Sequence, residues 1–145
     1  MEENNVTQFK TYTDLEQSRK LAEILPIESA DMHYWKRTWK ENDYAISVGH
    51  SKELQEGFES KCIEYIPCWS LAALLDVLPP YLFEFERGID LNIYPNLNGK
   101  GWHCSYMPNS IENMKTDKFK LITNGDTLVD ACVEMIIKLH EQKLL

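Results

Sequence analysis

No stretch of this sequence approaches the roughly 18 consecutive apolar residues that a membrane-spanning helix needs. Its first residues, Met1-Glu2-Glu3-Asn4-Asn5, are acidic and polar where a secretory signal is basic and then apolar. The expectation is a cytoplasmic protein with no membrane partner. Basic charge is also scarce: 15 Lys and Arg stand against 23 Asp and Glu, a formal net charge of -8. Such a chain repels a phosphate backbone unless its cations are segregated, so nucleic-acid binding is disfavoured. The four cysteines, Cys62, Cys68, Cys104 and Cys132, include no close pair of the kind that holds zinc; the nearest two are separated by five residues. They read as free and mostly buried. Phosphate-cradling glycine loops, G-x-S-x-G, H-E-x-x-H, nucleotide fingerprints and internal repeats are absent. Neither a metal nor a cofactor is expected, and no catalytic set is assigned.

What the chain does have is material for a core. With 145 residues, 43% of them apolar, it has the size of one domain. The clearest local signal is Asp126 to Glu141, a helix that Asp126 or Thr127 caps and whose first turn carries Asp130. At about 100° per residue, Asp130, Glu134, Lys138 and Glu141 form a thin polar stripe, and Glu134 precedes Lys138 by a favourable four residues. Leu128, Val129, Cys132, Val133, Met135, Ile136, Ile137 and Leu139 fill the rest. An arc that wide demands burial on more than one side. His140 falls within it and reads as a packing or capping residue.

Thr13-Asp14-Leu15-Glu16 predicts a capping box with Thr13 as N-cap, and Pro26 stops the helix that follows. From Asp31 to Val48 the apolar pattern alternates around Lys40-Glu41-Asn42-Asp43, which predicts a hairpin pairing Trp39 with Tyr44, Arg37 with Ile46 and Trp35 with Val48. That register gathers Trp35, Trp39, Tyr44, Ile46 and Val48 on one face. Gly49 to Lys61 reads as a long loop, Cys62 to Ile66 as a short strand, and Trp69 to Leu78 as a short buried helix ended by Pro79-Pro80. Asn98-Gly99 predicts a type I′ hairpin with Leu91 opposite Tyr106, Ile93 opposite Cys104 and Pro95 opposite Trp102. A last strand, Lys118 to Thr123, leads into the closing helix.

Three groupings invite a functional reading. His33-Tyr34-Trp35-Lys36-Arg37-Thr38-Trp39-Lys40 interleaves cations with rings, as a single-strand nucleic-acid platform does. His33, Trp35, Lys36, Arg37 and Lys40 are therefore the candidate binding surface, although a half-buried strand needs the same spacing. Glu84 and Glu86 would share a face of a strand between inward Phe83 and Phe85, where paired carboxylates can bind a cation or divide acid and base roles. His103 and Cys104 are neighbours, yet on the predicted strand Cys104 looks inward and His103 outward.

Leu21 to Met32, Pro67 to Pro79 and Val129 to Glu141 resemble a group of small proteins of gut Bacteroidetes and their phages or mobile elements. That group has no assigned activity. The resemblance implies a cytosolic accessory protein and carries over no catalytic residue. The expected fold is α+β: an antiparallel sheet of about five to six strands with three helices, in the order α-β-β-(β)-α-β-β-β-α. It forms a single domain, 11–145, after a flexible lead-in of residues 1–10. The function expected first is a non-catalytic interaction protein whose partner is protein, either a second copy or a host factor. Its alternatives are a nucleic-acid or nucleotide-binding accessory using the His33 to Lys40 strand, and an acidic inhibitor of a host factor.

Overall fold

The computed structural model describes residues 9–49, 56–57 and 64–145. The first eight residues of the expected lead-in, most of the expected loop Gly49 to Lys61, and Cys62 and Ile63 of the expected strand Cys62 to Ile66 lie outside the described residues. The elements in view are α1 (Leu15–Ile24), β1 (Met32–Lys36), β2 (Tyr44–Val48), β3 (Glu64–Cys68), α2 (Leu71–Val77), β4 (Tyr81–Leu82), β5 (Ile89–Pro95), β6 (Trp102–Pro108), α3 (Ile111–Thr116), β7 (Leu121–Gly125) and α4 (Leu128–Glu141). Short 3-10 turns sit at Ile27–Ser29 and Phe85–Arg87. The class is α+β, but the strands divide into two antiparallel sheets, ordered β2-β1-β3 and β4-β5-β6-β7. A single sheet with three helices is thus corrected to two sheets with four helices among the described residues. No helix among those residues is long and apolar enough to cross a membrane.

The closing helix joins the parts. Thr127 caps α4, its hydroxyl accepting the Asp130 amide at 3.1 Å. Val129, Ala131, Cys132, Val133, Met135, Ile136, Ile137 and Leu139 are all buried, because α4 packs on β6 and β7 and also against α2 and α1. Its wide apolar arc is therefore covered within one chain. Two members of the polar stripe are not merely solvated: Asp130 accepts from Lys10 at 2.7 Å and Gln17 at 2.8 Å, and Lys138 donates to the Ile122 carbonyl at 3.1 Å. Lys10, assigned to the lead-in, is thereby anchored. His140 is exposed and does not pack, since it sits in the last turn, past the edge of the sheet side of the helix.

The start of α1 lies one residue later than the spacing predicts. Asp14 is the N-cap, paired reciprocally with Gln17 at 2.8 and 3.1 Å. Thr13 is drawn inward instead: its hydroxyl meets Ser18 at 2.7 Å and accepts the Trp69 amide at 3.2 Å. The tertiary contact wins because Asp14 and Gln17 supply the same capping geometry one position on. Asp31 holds the start of α2 in a similar way, accepting both the Ser70 amide, at 2.8 Å, and its hydroxyl.

The first hairpin also differs. β1 pairs Tyr34 with Ile46, Trp35 with Ala45 and Lys36 with Tyr44. The loop starts at Arg37, because the Thr38 hydroxyl binds Asp43 at 2.6 Å and accepts the Lys40 amide at 3.2 Å, folding the chain before Trp39 can pair. The register moves by an odd number of residues, so Trp35 and the pair Tyr44 and Ile46 occupy opposite faces. Trp39 and Val48 are 86% and 84% exposed.

In the second hairpin the predicted register is observed, Leu91 opposite Tyr106, Ile93 opposite Cys104 and Pro95 opposite Trp102. The turn is not type I′. Gly99 donates to the Asn96 carbonyl at 3.0 Å, and Gly99 and Gly101, not Asn98, adopt positive φ. A loop symmetric about the same centre preserves the pairing. The inner face carries Cys104, Tyr106 and Leu121 into the core, with Leu91, Ile93 and Trp102 packed against it.

Candidate functional site

The structure disperses the five residues of the predicted surface. His33 is 2% exposed, its Nδ1 2.6 Å from the Gly49 carbonyl oxygen and its ring stacked on Tyr65 at 4.9 Å. Trp35 lies on the same face of β1, half-buried, and donates to the Ser47 hydroxyl at 3.3 Å. Arg37 stands 5.4 Å over the Trp35 ring and pairs with Asp43 at 3.5 Å. Lys36 is on the opposite face, 5.4 Å from the Tyr44 ring, and Lys40 is exposed in the loop. Only Trp35 and Arg37 come together as a ring and cation pair.

The other expected groupings are also resolved. Cys104 is fully buried and His103 is on the outer face, as the strand pattern predicts. Cys68, Cys104 and Cys132 are free and buried. The Cys104 thiol and burial together push the Cys132 thiol up, which favours its protonated form. Among the described residues no three His, Cys, Asp or Glu side chains are grouped to hold a metal ion. Glu84 and Glu86 do not lie on a strand: β4 ends at Leu82, and Glu86 belongs to the Phe85–Arg87 turn. Phe83 and Phe85 are correspondingly 46% and 70% exposed, not inward.

That correction uncovers the most distinctive surface of the molecule. Leu82 is buried and pairs with Ile89, so alternation turns Tyr81 outward, and Phe83, just past the strand, is 46% exposed. Phe83 takes φ 60°, a left-handed conformation that a bulky residue rarely adopts. This reverses the chain into the turn, which Gly88 closes at φ 72° with its amide 3.2 Å from the Phe85 carbonyl. A side chain at Gly88 would meet Asn109 and Asn113, so α3 is pressed against the turn.

The rings are locked by one another and by Arg87. Phe83 meets Phe119 edge-on at 5.1 Å, and Tyr81 meets Phe85 edge-on at 5.3 Å. The Arg87 guanidinium lies 4.2 Å from the Phe83 centroid and 5.8 Å from that of Phe119. It makes a two-pronged bond to Asp117, whose carboxylate also accepts the Phe119 amide at 3.0 Å. Arg87 holds the Asp117 carboxyl below the usual carboxylate range. Backbone strain of this kind, of order 1–3 kcal/mol, persists only where surrounding contacts over-determine it. Here the result is three exposed aromatic rings, Tyr81, Phe83 and Phe85, packed edge-on against one another and against half-buried Phe119.

The sequence held a signal for this surface, namely Gly88 three residues after Phe85. The Leu82-Phe83-Glu84-Phe85-Glu86 alternation masked it, because a left-handed Phe83 is not foreseeable from residue type. No family model, no curated protein and no solved structure matches the chain.

Proposed function

We propose that this protein is a non-catalytic interaction protein and that Tyr81, Phe83, Phe85 and Phe119, braced by Arg87, form its contact surface. One observation carries the reading: Tyr81, Phe83 and Phe85 are exposed to solvent, Phe83 in a left-handed conformation, and are packed edge-on in pairs, Tyr81 with Phe85 and Phe83 with half-buried Phe119. Binding hot spots are enriched in aromatic and arginine side chains, and prior immobilisation reduces the ordering cost of association. The partner is protein, a second copy or another polypeptide.

Light scattering across a concentration series, together with affinity capture from the native host, tests this with wild type and Phe85→Ser. Phe85 is 70% exposed and its replacement leaves the core intact. Concentration-dependent dimers, or a captured protein, should be lost in Phe85→Ser. A wild type that stays monomeric and captures nothing beyond what Phe85→Ser captures would sink the reading.

A further inference from the structure

A separate region of the molecule, at the hairpin-turn end of the four-stranded sheet, carries a ligand site that shares no residue with that surface. Tyr94 on β5 and His103 on β6 are cross-strand partners on the outer side of the four-stranded sheet, their rings stacked at 4.2 Å and 15°. Asn124 on β7 is the partner of His103 on its other side. The turn of the hairpin adds Asn96, Leu97 and Asn98, and together these six residues line a groove of about 540 Å³.

Two of the amides are already oriented. Asn96 donates through Nδ2 to the Lys100 carbonyl at 2.9 Å, and Asn98 accepts the Lys100 amide through Oδ1 at 3.0 Å. Asn96 thus keeps an acceptor and Asn98 keeps donors for a ligand, and exposed Asn124, whose amide also hydrogen-bonds the His103 side chain, keeps spare capacity toward solvent. Beneath them His103 is only 9% exposed and its Nε2 is without a hydrogen-bond partner among the described residues. An unpaired polar atom in the lining has already lost its water, so a ligand or a bridging water that reaches the His103 edge of the groove and supplies a partner gains there.

Among the described residues the lining contains no carboxylate and no lysine or arginine. A neutral ligand is therefore favoured, and the chain's net charge of -8 acts in the same sense against phosphorylated ones. Tyr94 is 42% exposed and presents a flat ring, and Leu97 adds an apolar wall. A ring to stack on, beside amides that both donate and accept, matches a planar heterocycle with adjacent donor and acceptor atoms on its edge. Asparagine reads adenine in this bidentate way, and aromatic rings hold bases of any sequence.

We propose that the groove lined by Tyr94, Asn96, Asn98, His103 and Asn124 binds an uncharged nucleobase or nucleoside. The experiment is a titration of the full chain with adenosine, guanosine, cytidine and uridine to millimolar concentration, followed by amide NMR. At least one nucleoside should produce saturable shifts in the side-chain amides of Asn96, Asn98 and Asn124. Tyr94→Ala should weaken that binding roughly tenfold or more, the size of a lost base stack, while Tyr94→Phe retains it. Asn124→Ala, at an exposed position, provides a second variant should Tyr94→Ala disturb the fold. The proposal is overturned if no nucleoside gives saturable shifts, if binding survives both alanine variants, or if methyl glucoside binds and the nucleosides do not.

Discussion

His103 shows how one buried residue sets a measurable pH response. Burial lowers its pKa from the ordinary 6.5, Lys120 acts in the same direction, and a hydrogen bond with the Asn124 side chain opposes them. The unfolded chain therefore binds this proton at a higher pH than the folded chain does. Stability contributed by the neutral ring is fully present above pH 6.5 and is lost as the pH falls from there through the lowered folded value. Urea midpoints should decline on acidification below about 6.5 in wild type, and the decline should be shallower in His103→Gln. Equal slopes in the two proteins would show that the ring is not the source. A second residue-scale outcome concerns Asp130, which holds Lys10 and Gln17 from the first turn of α4. Asp130→Ala removes both bonds while Lys10 keeps its 2.9 Å partner Asp14, and should cost about 1 kcal/mol in urea denaturation.

At the scale of elements, the hairpin turn makes a sharper test than the strands it joins. Gly99 and Gly101 have nearly the same backbone angle, φ 76° and 74°, but a side chain at Gly99 meets open space and one at Gly101 would sit on the Gly125 carbonyl. Gly99→Ala should therefore cost about 1–2 kcal/mol, for the left-handed conformation alone. Gly101→Ala should cost about 1–3 kcal/mol more, because the β6–β7 edge has to give way. Thermal melting of the two variants side by side checks the difference, and equal losses would contradict the packing argument. The same turn shows what was legible in the sequence. Asn98-Gly99 centred the hairpin, and apolar alternation fixed its inward face, so the pairing emerged even though the turn type did not. The β1–β2 hairpin failed on the same reasoning because the Thr38 hydroxyl opens the loop early, and side-chain hydrogen bonds of that kind leave no periodic trace. Helix α3 has six residues, too few for a 3.6-residue period to declare itself. At the proposed contact surface, Phe83 and Phe85 were visible as apolar residues, but their outward placement depends on one left-handed angle.

Across the whole molecule the open question is how the two sheets are held as one body, and α4 supplies the physical answer. It packs on β6 and β7 of one sheet and on α1, which in turn packs on β3 of the other. The link is reinforced where the N-terminal segment passes α2: Thr13 and Leu71 exchange backbone bonds with Trp69 and Thr11 at 3.0 and 2.9 Å, and Tyr12 bridges Ser70. A cavity opened on α4 should therefore weaken both sheets together. Ile136 is fully buried there, and Ile136→Ala should cost about 2–5 kcal/mol, depending on how far its neighbours collapse. Native-state hydrogen exchange measures the outcome at the two ends separately. The slowest amides of β1 and of β6 should lose the same protection, within error, because both exchange through one global opening. Protection lost in β6 while β1 retains its own would mean that the three-stranded sheet with α1 unfolds as an independent unit. In that case the packing of α1 against α4 would be a docked interface and not part of a common core.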